Sequence, residues 1–186
     1  MTVPNVTVRT ATEHDAARLA EVHIAAWRAT YRGVMTDEYL DGLDVGRASL
    51  AWRRKVLEPK DGTVHLVVQS RDCVVGFAVL GAAPGDSGAG TGQLYAINLH
   101  PDWWGQGLGS VLFAAAEQNF IELGYDRAFL WVERGNNRAI SFYTNRGWLD
   151  DGGTVEDTRF DPPVSERRHS KAFAPRVVRQ GRLVSR

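Results

Sequence analysis

Residues 100–113, HPDWWGQGLGSVLF, set Gly105, Gly107 and Gly109 at alternate positions between an apolar run and a helical pattern. A strand that ends in such a loop and feeds a helix leaves the first N–H groups of that helix without intrahelical acceptors, and about half a positive charge gathers there. The segment reads as a phosphate site or as no more than a tight turn at a helix entry. Glycines suit the site because they let a ligand reach the amides and adopt positive φ without a Cβ penalty. Two common phosphate loops are separable by spacing. A G-x-x-x-x-G-K-[ST] loop is excluded, since no Lys follows these glycines. A dinucleotide turn needs G-x-G-x-x-G in the first βα unit, whereas this loop reads G-x-G-x-G, has Ser110 in the third glycine's place and follows several strands. A dinucleotide site is therefore a poor second choice.

The flanking segments predict a single α/β domain over residues 1–173. VTVRT (Val6–Thr10) reads as a short strand, and Thr12 with Asp15 as a capping-box-like start for a helix carrying Ala16, Leu19, Ala20, His23, Trp27 and Tyr31. A second helical pattern covers residues 45–58 and stops before Pro59. TVHLVVQ and CVVGFAVLG, joined through SRD, predict a hairpin; residues 82–92 read as a flexible loop and residues 93–99 as the strand entering the glycine loop. Beyond that loop, Leu108, Leu112, Ala115, Ala116, Phe120 and Leu123 share a helix face closed by Gly124. RAFLWV predicts another strand, NRAISFYTNR a short helix closed by Gly147, and SERRHSKAF the last strand. Residues 174–186, with four arginines and no acid, predict a basic, flexible tail.

Composition narrows the partners. The 186 residues are 44% hydrophobic, enough for one sizeable core, and 22 Lys plus Arg balance 22 Asp plus Glu, so neither nucleic acid nor a membrane is expected as partner. The start lacks a basic and apolar leader, and no apolar run approaches the roughly 18 residues of a membrane span, so a cytoplasmic location is expected. Cys73 is the sole cysteine and the five histidines show no ligand spacing, so no metal site is expected.

LYAINLHPDWWGQGLGSVLF followed by WVERGNNRAISFYTNRGW resembles the two signature segments of the GNAT superfamily, the acetyl-CoA-dependent N-acetyltransferases. Gly107 and Gly109 fill the glycines of [RQ]-x-x-G-x-[GA], with Trp104 in place of the Arg or Gln. Asn136, Ala139, Phe142, Tyr143, Gly147 and Trp148 meet N-x-x-A-x-x-[FL]-Y-x-x-x-G-[FW] in order. The resemblance runs from about Val6 to Phe173. It implies a mixed, mostly antiparallel central sheet flanked by helices (α+β in some schemes) and acetyl-CoA as cosubstrate. It also implies that the amides of Trp104, Gly105, Gln106, Gly107, Leu108, Gly109 and Ser110 hold the pyrophosphate. Backbone groups near Ile97 and Leu99 are implied to pair with the pantetheine arm. Asn136 and Ala139 join the cofactor site, Asn136 through CoA contact, helix capping, or both. A homodimer stays open.

Transfer to an amine poses a proton problem: an amine of pKa about 10.4 is neutral at pH 7 at a cost of about 4.6 kcal/mol. Many enzymes of the family place a glutamate early in the strand before the glycine loop, and here that position holds Gln93, which is no base. Glu133 is the nearest carboxylate in the signature region; it reads as a base acting through water or as an exposed strand-end charge. Tyr95, on Gln93's side by strand alternation, reads as a holder of that water or as core packing. The resemblance places Tyr143 near the thioester sulfur as hydrogen-bond donor to the leaving thiolate; the alternative is a core aromatic. Trp27 and Tyr31 fall where related enzymes build the acceptor pocket, and helix packing explains them equally. Asp37, Glu38, Asp41 and Asp44 suit either a cationic acceptor or a solvated acidic loop. The function expected is direct acetyl transfer to a primary amine of a small molecule or peptide. An acyl-CoA-binding module without turnover and, more remotely, a nucleotide-binding protein are the alternatives.

Overall fold

The computed structural model describes residues 6–60, 62–85, 90–160 and 162–174. The expected tail beyond residue 174, and residues 86–89 of the expected flexible loop, lie outside them.

Asp15 closes the first turn: it accepts the Thr12 amide at 2.7 Å and pairs with Arg9 at 2.7 Å, completing the capping box ahead of α1 (Ala16–Tyr31). Hydrogen bonding from Arg9 holds the Asp15 carboxyl below the usual carboxylate range. β1 (Val6–Thr10), β2 (Val64–Ser70) and β3 (Cys73–Ala82) run antiparallel. Arg71 and Asp72, at φ +51° and +64°, form the two-residue turn of the β2–β3 hairpin. α3 (Val45–Leu57) is capped by Asp44, which accepts the Arg47 amide at 2.7 Å, and ends two residues short of Pro59. β4 (Thr91–Leu99) leads to the glycine loop and α4 (Leu108–Glu122); β5 (Arg127–Glu133), α5 (Asn137–Thr144), β6 (Leu149–Asp157) and β7 (Val164–Ala172) follow.

The seven strands form one sheet in the order β1-β2-β3-β4-β5-β7-β6. All neighbours are antiparallel except β4 and β5, which are parallel and pair only from Thr91–Arg127 to Leu94–Leu130. Helices cover both faces. Leu108, Leu112, Phe113, Ala116 and Phe120 of α4 pack on Val68, Ala78, Leu80, Leu94 and Leu130. Leu19, Ala20 and Val22 of α1, with Trp52 of α3, pack on Val67, Val74 and Phe77 of the opposite face. This is the mixed, mostly antiparallel architecture expected.

Two elements were not anticipated. α2 (Asp37–Asp41) turns the expected acidic loop into a short helix capped by Thr36, with Asp37 and Asp41 both paired to Arg32 and Asp44 spent on capping α3. β6 is mostly exposed and irregular between Asp150 and Thr154, so it lacks the period-2 pattern that announces a strand.

Candidate active site

Beyond Leu94–Leu130 the parallel strands part, because Tyr95 is bulged: Val79 pairs with Ala96 and Leu80 with Leu94, leaving Tyr95 unmatched. The parting opens a cleft of about 1430 Å³. Ile97 and Leu99 line one wall, Trp131 and Glu133 the other, with the glycine loop and α5 between them and the end of α1 at the far side.

The glycine loop is shaped for an anion. Gly107 is the N-cap of α4 at φ +81° and offers no side-chain cap; Gly105 sits at φ +75°. A Cβ at either would meet no atom within 4 Å, so the space beside both glycines is open. Among the described residues, the Leu108 and Gly109 amides have no acceptor, as the first turn of an uncapped helix requires. Gly109 differs: it is helical, and its Cβ would touch Leu99 at 3.5 Å and Phe142 at 3.6 Å. The Leu108 side chain lies in the core, and Gln106 donates to the Asp102 carbonyl at 3.0 Å. Two arginines missed in the sequence reinforce the site. Arg146 donates to Ser110 Oγ and, at 2.8 Å, to the Phe142 carbonyl. Arg138 lies 3.9 Å over the Trp104 ring, whose Nε1 donates to the Leu99 carbonyl at 2.9 Å. Trp104 thus carries a guanidinium to the loop although it replaces the motif's Arg or Gln.

α5 supplies the other side. Asn136 Oδ1 accepts the Ala139 amide at 3.1 Å, so the capping reading of Asn136 is realised, and Ala139 lines the cleft. Tyr143 packs its ring on Phe113 and Phe142, both at 5.6 Å. Its hydroxyl has no hydrogen-bond partner among the described residues, and burial, with the nearby Tyr31, drives its pKa well above the ordinary phenol. It stays a donor at any physiological pH.

The acceptor end combines rings and carboxylates. Trp27 meets Tyr31 at 5.3 Å and Phe160 at 5.6 Å. Glu133, Asp157 and Glu166 line the same end, and Arg159 pairs with Asp157 at 2.6 Å. Tyr31 is pushed up to about 12 by burial and by the charges of Glu166, Glu133 and Asp157. The acidity at this end of the cleft therefore comes from β5, β6 and β7, and not from the acidic run near α2. Gln93 is 8% exposed, and its Oε1 has no partner among the described residues. Tyr95, at the bulge, lines the cleft as Gln93 does, and its hydroxyl donates to the Ala82 carbonyl. His100 caps the turn Pro101–Trp103, and Cys73 opens β3 at the hairpin, away from the cleft lining.

With this geometry in place, residues 19–148 match the family model described as Acetyltransferase (GNAT) family. The chain belongs to the GNAT family of N-acetyltransferases. An uncharacterized N-acetyltransferase of Bacillus subtilis is 31% identical over 138 residues, covering 74% of this chain and 77% of that protein. Spermidine N(1)-acetyltransferase of Thermoplasma acidophilum is 23% identical over 178 residues, 89% of this chain and 98% of its own. The crystal structure of the PaiA N-acetyltransferase of T. acidophilum in complex with coenzyme A superposes with a TM-score of 0.69 at 21% identity, over 91% of this chain and 99% of that one. The GNAT fold is thereby shown. Among the described residues no helix is long and apolar enough to cross a membrane.

Proposed function

We propose that this GNAT enzyme moves the acetyl group of acetyl-CoA directly to a primary amine on a cationic acceptor. The observation that carries the reading is the cleft itself, in which an uncapped helix N-terminus flanked by two guanidiniums meets an aromatic, acidic pocket across the Tyr143 hydroxyl. The open cradle over Gly105 and Gly107 fits a pyrophosphate, and the unpaired edges of β4 at Ile97 and Leu99 fit an extended pantetheine arm. Trp27 and Tyr31 wall the acceptor. A carboxylate of the acidic end, Glu133 or Glu166, takes the ammonium proton. The amine nitrogen then attacks the thioester carbonyl carbon, the C–S bond breaks, and Tyr143 donates to the leaving thiolate. Full proton transfer from a phenol so depressed in acidity is uphill, so Tyr143 acts by a hydrogen bond that tightens as charge develops.

An acceptor panel tests this: thiol release from acetyl-CoA with spermidine, a lysine peptide, glucosamine and an acidic amino acid. Turnover is expected to favour the cationic members. Coenzyme A binding with no thiol release from any amine points instead to a binding module.

A further inference from the structure

Which carboxylate takes the proton is decided by what each already holds, on the footing of the acetyl-transfer reading above. Glu133 Oε1 accepts the Gly135 amide at 2.7 Å. Asp157 holds Arg159 through both oxygens, at 2.8 and 2.6 Å. Glu166 stands opposite Glu133 in the β5–β7 register and lines the same cleft, and no hydrogen bond or ion pair engages it among the described residues. Asp157 thus has both oxygens engaged and Glu133 one, whereas both side-chain oxygens of Glu166 remain available to an incoming ammonium.

Its surroundings suit that ligand. Trp27, Tyr31 and Phe160 form a wall of rings at the same end of the cleft, and ring faces attract cations. The Tyr31 phenol feels the charges of Glu166, Glu133 and Asp157, and Tyr143 in turn feels Tyr31, so the carboxylates and the thiolate donor share one neighbouring side chain. The charged and titratable groups facing Glu166 are Glu133 from β5, Asp157 from β6, Arg159 from the turn after it, and Tyr31 from α1. Burial first, then Asp157 and Glu133 against Arg159, make Glu166 hold a proton more tightly than a free glutamate, the direction that improves a base near neutral pH.

We infer that Glu166 is a catalytic residue that binds the acceptor's ammonium group and removes its proton before the nitrogen attacks. One proton passes from nitrogen to a Glu166 oxygen and on to solvent, freeing the lone pair that forms the C–N bond. The C–S electrons leave with the sulfur, and a second proton from nitrogen ends on the thiol.

The test is the pH profile of kcat/KM, with the fastest amine of the panel, for the parent, Glu166→Gln and Glu133→Gln, alongside coenzyme A affinity by calorimetry. Glu166→Gln should lose about 10²-fold or more at pH 7 with unchanged coenzyme A affinity, which also reports folding. Its deficit should shrink about tenfold per pH unit as free amine becomes available. Glu133→Gln should shift the parental limb to lower pH, because a negative neighbour of Glu166 is gone, without that tenfold recovery. A Glu166→Gln variant with the parental profile, or a tenfold-per-unit recovery in Glu133→Gln instead, overturns the assignment and leaves acetyl transfer standing. A parent that turns over no amine overturns the acetyl-transfer reading and this inference with it.

Discussion

Replacing Gly107 by alanine separates the two jobs of the glycine loop. At φ +81° an alanine is strained by about 1–2 kcal/mol, although the added Cβ meets no atom within 4 Å. In a chain of this size that strain lowers Tm by roughly 2–8 °C. The same Cβ would enter the open space beside the loop, which on the proposed reading is shared with a phosphate oxygen. Displacing one hydrogen bond to a charged oxygen costs about 1.5–3 kcal/mol, or about 10–150-fold in affinity. Gly109→Ala is the control: this position is helical, the Cβ makes ordinary contacts with Leu99 and Phe142, and alanine is the better helix former by about 0.5–1 kcal/mol. Calorimetry with coenzyme A and thermal melts of both variants read the two effects separately. The expected result is weak binding by a folded Gly107→Ala and near-parental binding by Gly109→Ala. A Gly107→Ala protein that melts lower yet binds coenzyme A as tightly as the parent would refute the phosphate reading and leave the loop as a helix entry.

Tyr143→Phe keeps the ring against Phe113 and Phe142 and removes a hydroxyl with no partner among the described residues, so melting should hold while kcat falls about 10²-fold with coenzyme A affinity little changed. A parental kcat with chemistry rate-limiting makes Tyr143 a core aromatic. His23, wedged against Trp27, Trp52 and Phe77, has its pKa lowered to about 4, chiefly by burial and then by Lys55. The unfolded chain binds that proton near pH 6.5, so stability should rise with pH between about 4 and 6.5, by about 3 kcal/mol at most, and be insensitive to His23 below that window. Urea midpoints at pH 4.5 and 7 should show the slope in the parent and a flatter one in His23→Leu; equal slopes reject a neutral His23.

Local signals carried the fold as far as they reach. The capping box at Thr12 and Asp15, the Arg71–Asp72 turn and the glycine loop each depend on a few adjacent residues, and each stands where the sequence put it. β6 was missed because LDDGGTVED is mostly exposed and bulged, so no alternation marks it. α2 escaped because five residues give no periodicity to read. The bulge at Tyr95 is a property of the β3–β4 pairing, and alternation counted along one strand cannot see it. At the site, Gly107 and Tyr143 were legible from their motifs, whereas Arg146 reaches Ser110 across 36 residues and Glu166 sits in a charge-rich strand that reads as solvent-facing. Only the β5–β7 register brings Glu166 opposite Glu133 and into the cleft.

The central claim, direct transfer within one cleft, is tested most directly by a single turnover followed by rapid quench and mass spectrometry. With enzyme in excess over acetyl-CoA and a cationic amine present, free thiol and N-acetylated amine should form at one rate and in equal amounts. Without the amine, the chain's own mass should stay that of the unmodified protein. Acetylated protein that forms as fast as thiol is released, on Cys73 or elsewhere, contradicts the account.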